Sequence, residues 1–252
     1  MQPKVVGIIS SPSRDGNTAV LVREALRAAA ERGAEVEEIL LPALKLRYCT
    51  GCLHCMSQGG CLLSDGFEEI RLKLYSCDGI VIGSPTYLQR PNAIMKNLFD
   101  RLGLFTLYTS SMAGKYVVGI STADGFGASK VAKELTGIVS GMFGQGHITG
   151  TLGAARGKGR IEDRPAALQR ARQLGFKLVS DVERRRRYPF QALPSRMMTA
   201  LIIRRFILRS ILDNRKGSMK AVYDNLVANG LIRPVPEMPR RYGATVLKRL
   251  RR

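Results

Sequence analysis

Short runs of β-branched residues alternate along this chain with longer stretches in which apolar residues return every three or four positions. The first run is Val5 to Ile9. A polar loop follows, and Thr18 to Arg32 then carries helical spacing until Gly33 stops it. The alternation continues and predicts strands at Val36 to Leu40, Gly79 to Gly83, Tyr116 to Ile120 and, less regularly, Ile148 to Leu152. Between them it predicts helices at Phe67 to Tyr75, Ala93 to Leu107, Ser129 to Phe143 and Pro165 to about Val182. No internal repeat interrupts this order.

Five strands separated by helices imply a parallel sheet covered on both faces, because parallel neighbours need crossover connections. The uninterrupted apolar runs VVGII and GIVIG suit strands buried on both sides. The predicted architecture is a doubly wound α/β domain. In the strand order 2-1-3-4-5, the loops after the first and third strands flank the switch point where open α/β sheets bind ligands.

Composition adds an appendage to this picture. A chain of 252 residues can bury one full-sized core with material to spare, so residues 1–182 are expected to form the domain and 183–252 an extension. The apolar share of 45% excludes a mainly disordered chain. The start, MQPKVVGIISSPSRDGNT, lacks an apolar stretch suited to a signal or a span, so a cytoplasmic protein is expected. The net charge of +20 is uneven: residues 1–180 hold 22 basic and 15 acidic residues, and 181–252 hold 18 and 5.

The extension begins with the run Arg184 to Arg187 and is broken by Pro189 and Pro194. Met197 to Leu212 is apolar but interrupted by Arg204, Arg205 and Arg209, which argues against a membrane span. As a helix it sets Ile203, Ile207 and Ile211 four residues apart, with Arg205 and Arg209 on another side. Packing on the domain or across an oligomer interface is the first reading. Peripheral attachment to a membrane surface is the second. Nucleic-acid binding is the least suited, because aromatics are few and no binding module is present.

The candidate chemistry lies in three loops. Ser10 to Thr18, between the first strand and first helix, surrounds a helix N-terminus with hydroxyls and free N–H groups and suits an anion. It has neither GxGxxG spacing nor a GK[ST] ending, so a monophosphate fits better than a pyrophosphate. A turn capped by Asn17 or Thr18 is the plainer alternative. Gly83-Ser84-Pro85-Thr86-Tyr87-Leu88 follows the third strand at the same sheet edge, where Tyr87 or its backbone would form a wall for a planar ligand.

Here three spaced motifs carry a resemblance. Ser-Pro-x-x-x-Gly-Asn-Thr, Gly-Ser-Pro-Thr-Tyr and the helix segment Met95 to Arg101 are similar to the NADPH-dependent FMN reductase and iron-sulfur flavoprotein group of the flavodoxin-like fold, over roughly residues 4–180. That resemblance implies an FMN phosphate held by Ser11, Ser13, Asn17 and Thr18, with Arg14 beside them. It also implies a ribityl chain and ring lined by Pro85, Thr86, Tyr87 and Leu88, and a ring pocket completed by Thr122, Ala123, Asp124 and Gly125. Two departures stand out: Ser13 takes the place after Ser-Pro where the group usually has arginine, and Asp124 stands where glycine is common.

Four of the five cysteines fall within thirteen residues, a clustering that in a reducing compartment suggests metal rather than disulfides. Cys49-x2-Cys52-x2-Cys55-x5-Cys61, in a loop spanning 46–66, brings its fourth thiol back after Gly59-Gly60 and could enclose a cubane. The spacing resembles the compact motif of iron-sulfur flavoproteins, which implies one 4Fe-4S cluster. Thiols without a cluster, as in FMN reductase relatives, and structural zinc are the alternatives. Cys77 reads as a buried apolar residue. His54 and His147 read as loop residues, and no Ser-His-Asp or paired-carboxylate arrangement is present.

Together these expectations describe an FMN-dependent oxidoreductase with a cluster, taking electrons from NAD(P)H or ferredoxin to a small organic or quinone-like acceptor, as a homodimer or homotetramer. The nicotinamide donor rests on the resemblance alone. A carrier that passes electrons between proteins is the other class. Its basic tail would meet an acidic redox partner.

Overall fold

The computed structural model describes residues 2–142, 144–155, 157, 159–188, 191 and 204–235. The β-branched runs become five parallel strands, β1 (Lys4–Ile9), β2 (Glu35–Leu40), β3 (Gly79–Tyr87), β5 (Tyr116–Ala123) and β6 (His147–Ala155), in the order β2-β1-β3-β5-β6. A two-residue strand, β4 (Arg90–Pro91), pairs antiparallel with Thr86 and Tyr87. The doubly wound sheet is therefore as expected, with β4 as a sixth strand.

Helices cover both faces. On one, α1 (Asn17–Glu31) and α6 (Pro165–Glu183) bury Leu21, Val22, Ala25, Leu174 and Leu178 against Val5, Val81 and Val118. On the other, α3 (Phe67–Ser76), α4 (Ala93–Thr109) and α5 (Ala128–Leu135) bury Phe67, Leu74, Met95, Leu98 and Val131 against Ile8, Ile80 and Ile82. Alternate residues of the central strands thus feed two separate cores, which is why these strands are apolar throughout.

Gly83 sets how closely α1 lies on β3. A Cβ there would stand 2.3 Å from Val22 Cγ2 and 3.0 Å from Thr18 Cγ2, so only glycine lets the start of α1 rest on the end of β3. Gly83→Ala is expected to destabilise the protein by roughly 1–3 kcal/mol through overpacking. The check is a denaturation midpoint lowered at constant m-value; an unchanged midpoint would mean that α1 shifts without cost.

Several boundaries differ from the sequence reading. β3 runs on through Pro85 to Tyr87, the segment expected to be loop, because β4 and β5 supply pairing partners there. The helix expected over 129–143 is α5 only to Leu135, followed by a 3-10 turn at Thr136–Val139. Gly137 and Gly141 follow in that stretch, each costing a helix about 1 kcal/mol, and Phe143 lies outside the described residues. His147 opens β6 rather than occupying a turn, with its ring centroid 5.0 Å from that of Tyr116. His54 likewise begins a short helix, α2 (His54–Gln58), inside the cysteine loop. Cys77 is buried, as expected.

The extension contributes α7 (Arg204–Asp213) and α8 (Lys220–Ala228). Ile207 and Ile211 pack with Val222 and Leu226 against Met56 of α2 and Phe105 of α4, while Arg205 and Arg209 are exposed. Met197, Ile203, Pro189, Pro194 and residues 236–252 lie outside the described residues. No helix among the described residues is long and apolar enough to cross a membrane.

Candidate functional site

At the carboxyl edge of the sheet, the ends of β1, β3 and β5 enclose a crevice of about 410 Å³. It is lined by Ser11, Pro12, Ser13, Asn17 and Thr18 from the first loop, Pro85, Thr86 and Tyr87 from β3, and Thr122, Ala123 and Asp124 from β5. Two hydroxyl–hydroxyl bonds fix its floor, one from α1 to β5 and one from β3 to β5. The hydroxyls of Thr18 and Thr122 share a hydrogen bond of 2.6 Å, and those of Thr86 and Ser121 one of 2.9 Å. Asn92, buried at the start of α4, donates from Nδ2 to the carbonyl of Ser10 and accepts from the N–H of Met95, so it ties the first loop to the next helix cap.

The start of α1 has no side-chain cap and no acidic residue in its first turn. Asn17 does not cap it: its Oδ1 accepts from the N–H of Ile161 at 3.0 Å. The capped-turn alternative therefore does not hold: first-turn N–H groups and the positive end of a fifteen-residue helix face the crevice. Such a cradle suits a phosphate, and the exposed ring of Tyr87 gives the crevice an aromatic wall.

Eleven lining residues include ten of the thirteen named from sequence. Arg14 is exposed, and its backbone carbonyl, not its side chain, is held by Arg23. Leu88 is 99% exposed in a left-handed turn (φ 47°), and Gly125 is exposed as well; these three lie outside the lining. Pro12 lines the crevice and was not named, although it lay within the motif.

The cysteines form a second site. Cys49, Cys52, Cys55 and Cys61 are free thiols lining one largely apolar cavity of about 340 Å³, closed on its other side by Phe99, Arg101, Gly103, Leu104 and Leu107 of α4. Gly103 (φ 48°, ψ −148°) breaks α4 at this wall, a left-handed conformation that glycine accepts without strain. The cavity shares no lining residue with the crevice, although both lie in the same chain. The loop follows the carboxyl end of β2 and runs along α4 rather than into the crevice.

Arg101 anchors this loop at both ends. Its Nη1 donates to the carbonyl of Arg47 and to Asp65 Oδ2, both at 2.8 Å, and its Nη2 donates to Asp65 Oδ1 at 3.0 Å and to Cys61 Sγ at 3.2 Å. Asn97, one turn earlier, donates to the carbonyls of Leu46 and Arg47. The Arg101 Nε–H is buried without a partner. The guanidinium, with the N–H of Arg47 as a second donor, holds the Asp65 carboxyl down to about 2. A depressed carboxyl stabilises the fold above its ordinary 3.8 and loses that contribution as pH falls towards 2, here about 2 kcal/mol. Asp65→Asn should flatten that part of the acid-unfolding profile, leaving other carboxylates to shape the rest; an unaltered profile would deny the pair this role.

Four free thiols around an apolar cavity with a fixed cation at one edge fit a thiolate-bound, anionic iron-sulfur group. Among the described residues, no three Cys, His, Asp or Glu side chains draw together tightly enough for a single metal ion. A zinc ion with 2.3 Å bonds would gather sulfurs to within about 4 Å of one another. A cubane binds one thiolate at each of its four irons and keeps them farther apart.

The family described as NADPH-dependent FMN reductase matches residues 3–157. An iron-sulfur flavoprotein of Methanocaldococcus jannaschii is 35% identical over 189 residues, covering 71% of this chain and 97% of the relative. An iron-sulfur flavoprotein of Archaeoglobus fulgidus is 31% identical over 183 residues, covering 71% and 80%. Among solved structures, a flavone reductase aligns with a TM-score of 0.58 at 19% identity, over 71% of this chain and 63% of that chain, which is a likeness of fold.

Proposed function

This chain belongs to the NADPH-dependent FMN reductase family and is an FMN-dependent oxidoreductase, and on that premise we propose that it also carries a 4Fe-4S cluster on Cys49, Cys52, Cys55 and Cys61. In this reading it moves electrons from NAD(P)H or ferredoxin to a small organic or quinone-like acceptor. The observation that carries the reading is the convergence of all four thiols on one cavity beside a buried arginine.

At the start of α1, first-turn N–H groups and the hydroxyls of Ser11, Ser13 and Thr18 would donate hydrogen bonds to the FMN phosphate in place of a basic side chain. Thr86 and Thr122 hold the walls apart through their bonds to Ser121 and Thr18. Tyr87 and Pro85 would flank the ring, and Asp124 would place a carboxylate at the edge of its pocket. When bound, FMN supplies two-electron chemistry that can be released one electron at a time. The residues supply binding, orientation and a fixed polar floor.

Anaerobic purification followed by an absorption spectrum and assays for flavin, iron and sulfide tests this reading. Flavin with iron and sulfide in equal amounts is expected; flavin alone would remove the cluster. A second reading, a carrier between proteins, draws on the exposure of Cys49 and Cys52 and of Leu53 and Leu62 at the cavity mouth. Steady NAD(P)H-driven turnover of a small acceptor without a protein partner would count against it.

A further inference from the structure

Arg101 is held through both of its terminal nitrogens. Its side chain is fully buried, Asp65 receives both ends of its fork, the Arg47 carbonyl fixes its Nη1, and its guanidinium carbon lies 4.3 Å from the centroid of the Phe67 ring. A guanidinium so constrained cannot follow a moving partner, so Nη2, which also donates to Asp65 Oδ1, points at Cys61 Sγ as a fixture of the fold. The N–H of Cys61 is held in turn by Glu68 Oε1 at 2.7 Å, which fixes that residue from its backbone. Cys61 is thus set apart from Cys49 and Cys52, which are exposed.

We infer that Arg101 is a positioning residue that sets the reduction potential of the iron-sulfur group through its hydrogen bond to Cys61 Sγ, with Asp65 as the opposing charge. The inference rests on the proposed cluster. A donor to a ligand sulfur draws electron density from it and favours the reduced state, and a buried positive charge does the same. The Asp65 carboxylate offsets most of that charge, so removing either partner leaves the other uncompensated in a dry site.

The pair therefore predicts shifts of opposite sign. Arg101→Gln, Arg101→Lys and Asp65→Asn, purified anaerobically as full-length holoprotein, are compared with wild type by redox titration monitored by electron paramagnetic resonance. Iron, sulfide and FMN are counted in each. Arg101→Gln should lower the midpoint so that the reduced fraction at the wild-type midpoint falls about tenfold relative to the oxidised, about 59 mV for one electron. Asp65→Asn should raise it. Arg101→Lys, which keeps the charge but loses the fork, should fall between Arg101→Gln and wild type.

Midpoints that all match wild type, or that shift in one direction, would overturn the inference, since general damage to the loop has no reason to reverse sign. Should Arg101→Gln not fold, the signs for Asp65→Asn and Arg101→Lys decide. A wild type with FMN but without iron and sulfide overturns the cluster itself, and the metal assay registers that before any variant is made.

Discussion

Ser13→Glu is expected to weaken FMN binding by about a hundredfold or more while leaving riboflavin binding and the melting temperature of the FMN-free protein nearly unchanged. Ser13 is exposed on the first loop and lines the crevice beside the open start of α1, so its replacement disturbs no core contact. A carboxylate there would face the phosphate. Two unit charges 4 Å apart repel by about 4 kcal/mol at the effective dielectric of a protein surface, and 1.4 kcal/mol is a factor of ten. The phosphate-free riboflavin serves as the internal control. Fluorescence titration of the FMN-free protein measures both ligands, and equal losses for the two would move the phosphate away from this loop.

Cys52→Ser is expected to abolish the broad iron-sulfur absorbance and the iron and sulfide content, yet keep one FMN per chain. Cys52 is exposed, so the change leaves the core alone, and its thiol is biased towards the thiolate chiefly by the backbone N–H of His54. The hydroxyl of serine is a much poorer iron ligand. Because the two cavities have no lining residue in common, loss of one group should not carry the other away. FMN loss in parallel with iron would mean that the sites depend on each other despite this separation.

The strands and most helices were legible because burial on both faces leaves an unbroken apolar signature, as in GIVIG, and amphipathic helices repeat theirs. The ligand edge was legible for a related reason: strand ends at a switch point are fixed by topology, so the loops holding Ser11 and Thr86 could be grouped without coordinates, whereas Thr122 joined them only through the family resemblance. Local chemistry misled where a long-range partner intervened. Pro85 and Thr86 read as loop, yet β4 and β5 pair with them. Arg101 stood in view within a recognised segment and received no role, because its partners Cys61 and Asp65 lie 40 and 36 residues away and a single sequence carries no trace of that meeting. Arg14 joined the phosphate loop through the resemblance, one position beyond the place where the group has arginine, and its side chain is exposed instead.

The packing of α8 behind α2 has a temporal side. Every residue lining the FMN crevice lies between positions 11 and 124, whereas the apolar backing of the cysteine turn, Met56 against Val222 and Leu226, joins residues more than 160 positions apart. Chains fold from the N-terminus as they are made. The wall behind Cys55 is therefore translated long after the cysteines themselves, and in a nascent chain that back of the cysteine turn stays unpacked until synthesis has passed α8.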